Sequence, residues 1–366
     1  MVSVWDCRPI QSMGEFEKIV ELEIAVWGLE PKDAVPSSLL HAMATNGSLV
    51  AGAYDGEILV GLVLAFPVIR DKQWMLWSHM TGTHPDYQNR GIGFALKQFQ
   101  RTWAIEKGYK NIGWTFDPLQ RGNANFNLHQ LGATANTYLV DFYGEMTDSI
   151  NAGLPSDRLE VIWNLQQARV KQLANGSYPN TNSSFVPNRE QIVLTQTKES
   201  MPRLAMPIKF THNYYLAQIP NKISDLKHKS PDIALQWRLA LREVLENAFV
   251  QGYIAQDFVQ FDEGHFYLLG APRFWYMYVL ECSDRTLYTG VTPNLLQRLE
   301  KHNKGRGAAY TAARLPVKMI GAWCYSNKTL AMRAEYSFKK LARAEKLQYL
   351  ATASPFSDGR FIELGS

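Results

Sequence analysis

Apolar residues recur along this 366-residue chain in two rhythms, one helical and one alternating. Ser12 with Glu15 has the form of a capping box, and Phe16, Ile19, Val20, Ile24 and Trp27 then fall at helical spacing. Two apolar runs, 48–54 and 57–66, flank Asp55-Gly56, a hairpin signal. Another strand-like run, 73–83, leads through a polar turn into a helix from about Gly91 to Lys107. A strand near 111–116, a short helix near 123–131 and a strand near 137–145 follow. Strands alternating with helices predict an α/β or α+β arrangement around one sheet.

Residues 175–188, rich in Asn, Ser, Pro and Gly, read as a long surface loop. Ser230-Pro231 predicts a helix start, with the helix running to about Gln251. Strands at 253–261 and 265–269 flank Asp262-Glu263-Gly264, and Ala271-Pro272-Arg273 reads as a short, stiff joint. Beyond it, strands at 276–280 and 287–291 are joined by a turn at Ser283-Asp284-Arg285. Thr292-Pro293 predicts the cap and first residue of a helix carrying Arg298 and His302, which stand one turn apart on one face. A strand at 316–323 and a helix at 329–343, bearing Glu335, complete the pattern.

A chain of this length exceeds one hydrophobic core, so two or three domains are expected, with divisions at 1–150, 151–270, 271–354 and a tail at 355–366. At 46% hydrophobic and 20% charged the composition is that of a globular chain, and no apolar run approaches the roughly 20 residues of a membrane span. No membrane partner is expected. The first seven residues lack a secretory pattern, and Cys7, Cys282 and Cys324 are few, odd in number and far apart. Both features predict a reducing cytoplasm rather than a disulfide framework. Charge changes the picture more. Residues 271–366 hold 15 Lys and Arg against 7 Asp and Glu, a net +8, so the remainder of a chain totalling +4 carries −4. A polyanion partner for the C-terminal segment, or a merely solubilising surface, accounts for that asymmetry equally well.

The C-terminal residues decide between these. Tyr278, Tyr288-Thr289-Gly290, Arg298, His302, Gly305-Arg306-Gly307-Ala308-Ala309-Tyr310-Thr311, Arg314-Leu315-Pro316-Val317 and Glu335 stand in an order that resembles the GIY-YIG nuclease superfamily in its small bacterial form. Each alone has an ordinary structural role; their joint order points to a site. The resemblance implies that Glu335 holds one Mg²⁺ or Mn²⁺ ion, that Tyr278 is the base with Tyr288 in support, that Arg298 clamps phosphate, and that His302 orients the tyrosine or relays a proton. A free phenol is only about 0.1% ionised at pH 7, so a positive neighbourhood of Arg298, His302 and metal is expected to lower it. Lys301, Lys304, Arg306, Arg314 and Lys318 surround the glycine-rich loop and are expected to face a DNA backbone, giving affinity without base readout. Structure- or damage-directed cutting, in repair or DNA processing, is the corresponding expectation. The asparagine that closes the motif in homing-type relatives has no clear counterpart.

In the N-terminal part, Gln88-Asn89-Arg90-Gly91-Ile92-Gly93 follows a strand and opens a helix, where glycines let backbone N–H groups approach a pyrophosphate. With the surrounding element order, this turn resembles the Q/R-x-x-G-x-G/A turn of the GNAT acyltransferases, and 125–133 occupies the place of their second signature. The resemblance implies binding of acetyl-CoA or another acyl-CoA at Gln88 to Gly93, with the acyl acceptor unassigned. Leu128 stands where many relatives place a tyrosine acid; Tyr138 or Tyr143, with His79 or His84 as base, are the alternatives. The expected architecture is α+β / α/β: a GNAT-like mixed sheet flanked by helices with an extended C-terminal half, followed by a small GIY-YIG α+β domain. Three functional arrangements follow: a bifunctional enzyme, a non-cleaving DNA-binding module that targets an acyltransferase, or an acyl-CoA sensor regulating a nuclease.

Overall fold

The computed structural model describes residues 5–70, 72–146, 153–176, 188–205, 212–262, 264–271, 274–325, 328–357 and 359–362. They fall into two compact units, Met1–Ala271 and Pro272–Ser366. No helix among the described residues is long and apolar enough to cross a membrane.

In the first unit β1 (Asp6–Pro9) leads to α1 (Met13–Trp27), α2 (Ser37–Thr45), β2 (Leu49–Asp55), β3 (Ile58–Arg70) and β4 (Gln73–Thr83). Next come α3 (Ile92–Glu106), β5 (Asn111–Phe116), α4 (Arg121–Ala124), a π-helical stretch over Asn125–Gln130, and β6 (Thr134–Leu139). The second half adds β7 (Arg158–Asn164), α5 (Ala168–Ala174), β8 (Ile192–Gln196), β9 (Pro202–Leu204) and β10 (Tyr214–Ile219). It closes with α6 (Ile223–Lys229), α7 (Pro231–Val250), β11 (Ile254–Phe261) and β12 (Gly264–Gly270). All twelve strands share one sheet, ordered β1-β2-β3-β4-β5-β7-β6-β11-β12-β10-β8-β9. The expected division at residue 150 therefore falls between hydrogen-bonded neighbours, with β7 inserted between β5 and β6.

Local chemistry explains most elements. The Ser12–Glu15 capping box forms and opens α1. In α7, Ala234, Trp237, Leu241, Val244, Leu245 and Ala248 repeat every three or four residues and are buried, giving the helix one apolar face toward the core. The hairpin forms with Asp55 paired to Ile58, so its loop is Gly56-Glu57, one residue later than expected. β6 spans Thr134–Leu139 instead of 137–145 because the chain turns at Asp141, whose N–H donates to Asp157 Oδ1 while its carboxylate accepts from Ser156 N. Most of the loop expected at 175–188, and the joint at 272–273, lie outside the described residues.

The second unit holds β13 (Trp275–Glu281), β14 (Leu287–Thr292), α8 (Leu295–Asn303), α9 (Ala309–Ala312), β15 (Lys318–Tyr325), α10 (Lys328–Lys340), α11 (Arg343–Thr352) and β16 (Arg360–Ile362). Its four strands form an antiparallel sheet ordered β14-β13-β15-β16. Strand alternation splits β13: Met277 and Val279 pack with Ala331, Ala334 and Phe338 of α10, whereas Tyr278 and Leu280 pack with Leu295 and Leu299 of α8. The cap of α8 is Asn294, which accepts from Gln297 N at 3.0 Å. The helix thus starts two residues later than Thr292-Pro293 predicts, because the Thr292 hydroxyl folds back onto the Asn294 backbone.

Candidate functional site

β13 and β14 set the centre of the second unit's site. Their register places Tyr278 opposite Gly290. A methyl group at Gly290 would stand 2.5 Å from the Tyr278 hydroxyl, so only glycine leaves room for that phenol. Gly307 does the same for the His302 ring, against which any Cβ would collide. Tyr278 and His302 are fully buried.

Their hydrogen bonds form one continuous chain. Arg298 Nε can only donate, and it donates to the Tyr278 hydroxyl at 2.9 Å. That hydroxyl stands 2.9 Å from His302 Nε2. His302 Nδ1 lies 2.7 Å from Thr311 Oγ1, which in turn lies 2.9 Å from the Ala308 carbonyl oxygen. With the Thr311 proton on that carbonyl, Nδ1 carries the ring proton and Nε2 accepts the phenol proton of Tyr278; with the Thr311 proton on Nδ1, Nε2 donates to the phenol oxygen instead. Burial, then the Arg298 charge, lowers the pKa of His302 and favours the neutral ring. Tyr288 completes the cluster, its ring centroid 6.4 Å from that of Tyr278 and 5.3 Å from His302.

Burial pushes the Tyr278 phenol up to about 12, outweighing the hydrogen bond and charge of Arg298 that pull it down. The sequence-based expectation of a lowered phenol is thus corrected for the protein by itself: desolvation of the phenolate exceeds the help of one guanidinium. Glu335 contributes to the upward shift, so its carboxylate lies within electrostatic reach of Tyr278. It sits on α10, which packs across β13 and β14. The carboxylate is 21% exposed and pairs with Lys339 at 2.8 Å.

The five basic residues differ in availability. Lys301, Lys304, Arg306 and Lys318 are exposed, and Lys304 is paired with Glu300 one turn away. Arg314 is half-buried and committed: Nε meets Asp284 Oδ2 at 2.9 Å and Nη1 donates to the Tyr310 carbonyl at 3.0 Å. Sequence reasoning gave no role to Asn303, whose amide exchanges hydrogen bonds with both backbone groups of Val317 and fixes the loop between α8 and β15. An asparagine followed by a lysine and glycine, as here, is an ordinary turn in sequence and gives no warning of that clip.

In the first unit, Gly91 caps α3 with φ 82°, a conformation suited to glycine, and no side chain caps the helix start. Its first-turn N–H groups are thereby left for an anion. Trp5 Nε1 donates to the Arg90 carbonyl at 3.1 Å, and Arg90 lies over the Tyr87 ring, which together hold the turn in place. Ile92 is buried beneath it. β4 and β5 are parallel and pair only at Leu76–Ile112 and Trp77–Gly113, then part. At the fork, Lys97 is buried between Ser78 Oγ (2.7 Å) and the Trp114 ring (4.0 Å), and burial brings its pKa down to about 7.

The substitute acids and bases are less free than the sequence suggests. Tyr138 donates to Asp157 Oδ2 at 2.7 Å, and burial raises its pKa. His79 occupies the register shift between β3 and β4, and His84 accepts from Asp86 N. Tyr143 stacks edge-on with Phe142. Leu128 is fully buried in the core.

Two family models match this chain: the GIY-YIG catalytic domain over residues 274–348, and the acetyltransferase (GNAT) family over 16–132. The UPF0213 protein of Bacillus licheniformis is 56% identical over 75 residues, which are 20% of this chain and 77% of that protein. The UPF0213 protein of Pediococcus pentosaceus is 51% identical over 76 residues, covering 21% of this chain and 80% of its own length. Among solved structures, the ribosomal-protein-S18-alanine N-acetyltransferase from Escherichia coli overlays 45% of this chain and 96% of its own at 12% identity and a TM-score of 0.36. Through its C-terminal unit the chain belongs to the GIY-YIG family, and it joins that nuclease-type domain to a GNAT acetyltransferase-family domain.

Proposed function

We propose that the second unit hydrolyses the phosphodiester backbone of DNA with the help of a divalent metal ion, directed by DNA structure or damage. The observation that carries this reading is the hydrogen-bonded chain Arg298–Tyr278–His302–Thr311, buried within a unit whose exposed side chains include Lys301, Lys304, Arg306 and Lys318. Glu335 offers a single, partly exposed carboxylate within electrostatic reach of the Tyr278 phenol. A hard ion such as Mg²⁺ or Mn²⁺, which takes one or two carboxylates and completes its shell with water and phosphate oxygens, fits that donor set. When bound, the ion supplies positive charge to the phosphate and to the departing oxygen.

The protein's own groups handle the proton. A phenol near 12 stores no phenolate at neutral pH, so Tyr278 takes a proton from the attacking water only as it passes its own to His302 Nε2. The water oxygen then bonds to phosphorus as the P–O bond to the departing strand breaks. Arg298 retains further N–H groups for a phosphate oxygen after its Nε has served Tyr278. Because His302 must be neutral to accept, cleavage is expected to stay level from pH 8 to 7 and to fall only below about pH 6.5. A pH–rate profile with its midpoint above pH 7 would exclude His302 as the acceptor. Incubation with flap, fork, junction, single-stranded and duplex DNAs, with Mg²⁺ or with EDTA, tests the reading as a whole. Binding in EDTA with no cleavage of any of them in Mg²⁺ would replace it with a non-cleaving module.

We further propose that the first unit binds acetyl-CoA or another acyl-CoA, with the pyrophosphate at Gln88 to Gly93 and the acyl arm entering where β4 and β5 part. Support comes from the uncapped start of α3 and from the fork between two parallel strands. With Leu128 in the core and Tyr138 tied to Asp157, any acetyl transfer rests chiefly on proximity. Gly93→Asp discriminates well, since a Cβ there meets only Phe126 at 3.8 Å, an ordinary contact. The added carboxylate repels a pyrophosphate at the helix start, so coenzyme A affinity is expected to fall at least about tenfold with melting retained. Calorimetric titration showing unchanged affinity would remove the site from that loop.

A further inference from the structure

A column of flat groups leads outward from the buried histidine of the second unit. The His302 ring lies against Tyr288, and Tyr288 is stacked on Tyr310 at 6.2 Å between centroids and 26° between planes. The Arg314 guanidinium lies 4.1 Å from the Tyr310 ring centre. Exposure rises along the column: His302 is sealed, Tyr288 half-buried, and Tyr310 42% exposed. Its outer members are held rigidly. Thr311, next to Tyr310, is bonded to His302, and Arg314 is fixed by Asp284 and by the Tyr310 carbonyl. Asp284 offsets the charge of Arg314, which makes this guanidinium a poor phosphate clamp but a good flat plate.

The outer plate of the column is the Arg314 guanidinium, whose side chain is 35% exposed and which is seated on a tyrosine tied through its neighbour Thr311 to His302. Bases stack on tyrosine rings and on guanidinium planes without regard to sequence. In a duplex each base is already stacked and paired, and removing it costs a few kcal/mol. An unpaired base meets no such cost.

We propose that the Arg314 guanidinium, seated on Tyr310 and Tyr288, is a stacking platform for an unpaired base next to the cleaved phosphodiester, so that the DNA cut by this unit is single-stranded at the point of scission. The inference rests on the nuclease reading above and narrows it to a substrate class.

The test compares full-length wild type, Tyr310→Ala and Tyr310→Phe on an oligonucleotide with a single-stranded stretch and on the matched perfect duplex. Cleavage is followed in Mg²⁺, and the fluorescence of 2-aminopurine placed in the unpaired stretch is read in EDTA. Wild type is expected to quench the probe and to cut the single-stranded stretch in preference to the duplex. Tyr310→Ala is expected to reduce that preference about tenfold and to abolish quenching, while Tyr310→Phe, which keeps the ring, retains both. Using the ratio of the two substrates removes any general loss of rate. An unchanged ratio in Tyr310→Ala, or a wild type that prefers duplex, overturns the platform while leaving the nuclease intact. Absence of Mg²⁺-dependent cutting of either DNA by wild type overturns both.

Discussion

Changing Glu335 to glutamine is expected to reduce Mg²⁺-dependent nicking by about 10²- to 10³-fold, corresponding to about 3–4 kcal/mol of transition-state stabilisation. Glutamine keeps the shape and one oxygen but removes the charge that attracts a divalent ion. Stability should hardly change. Glu335 is partly exposed and its partnership with Lys339 is an i,i+4 helix pair, a type worth only a few tenths of a kcal/mol. Lys339→Ala breaks the same ion pair without removing the carboxylate, so it should leave cutting close to wild type. Time courses of nicking in Mg²⁺ and in Mn²⁺, beside melting curves of all three proteins, separate these outcomes. Full activity in the glutamine variant would show that metal-assisted chemistry does not pass through this carboxylate.

The largest effect on stability should come from the first unit. Asp117 and Arg238 form an ion pair at 2.7 Å, with the arginine side chain 2% and the aspartate 9% exposed. Asp117 also accepts from Leu119 N at 2.9 Å, and the Tyr267 hydroxyl donates to the adjacent Pro118 carbonyl. Asp117→Ala leaves a guanidinium buried without its counter-charge, a situation that costs about 3–5 kcal/mol. Arg238 Nε lacks a hydrogen-bond partner among the described residues, and the nearby Tyr138 and Asp157, the latter already paired with Arg242, compensate only in part. The paired change Asp117→Leu with Arg238→Met should cost clearly less than the single one, because no isolated charge remains. Chemical denaturation of the three proteins gives the comparison, and a single variant within about 0.5 kcal/mol of wild type would deny the pair its role.

What the sequence revealed follows from how far each signal reaches along the chain. The helix at 231–250, the cap at Ser12 and the two strands carrying Tyr278 and Tyr288 are written in local spacing, and they form as expected. The cluster of Tyr278, Arg298 and His302 was legible because motif order fixes which residues meet. Its electrostatics were not. The expected lowering of the phenol weighed nearby charge but not burial, and burial of Tyr278 depends on Leu280, Leu295, Leu299 and Val317 arriving from separate elements. Likewise α11 and β16 went unpredicted: β16 is three residues long, and pairing with β15 rather than any pattern of its own makes it a strand. The commitment of Arg314 to Asp284, thirty residues away, could not be read from its place beside a glycine-rich loop.

The interleaved order β5-β7-β6 has a further consequence. Strand 158–164 is donated by the later half of the first unit to the middle of the earlier half, so neither half can be a module in its own right. A shortened protein ending near residue 150 would leave one edge of β5 and both edges of β6 unpaired and would strip cover from Trp114, inviting association. A protein that keeps the turn at 88–93 on a closed sheet must keep the later strands as well. Among the described residues, the chain divides at the seam near residue 271.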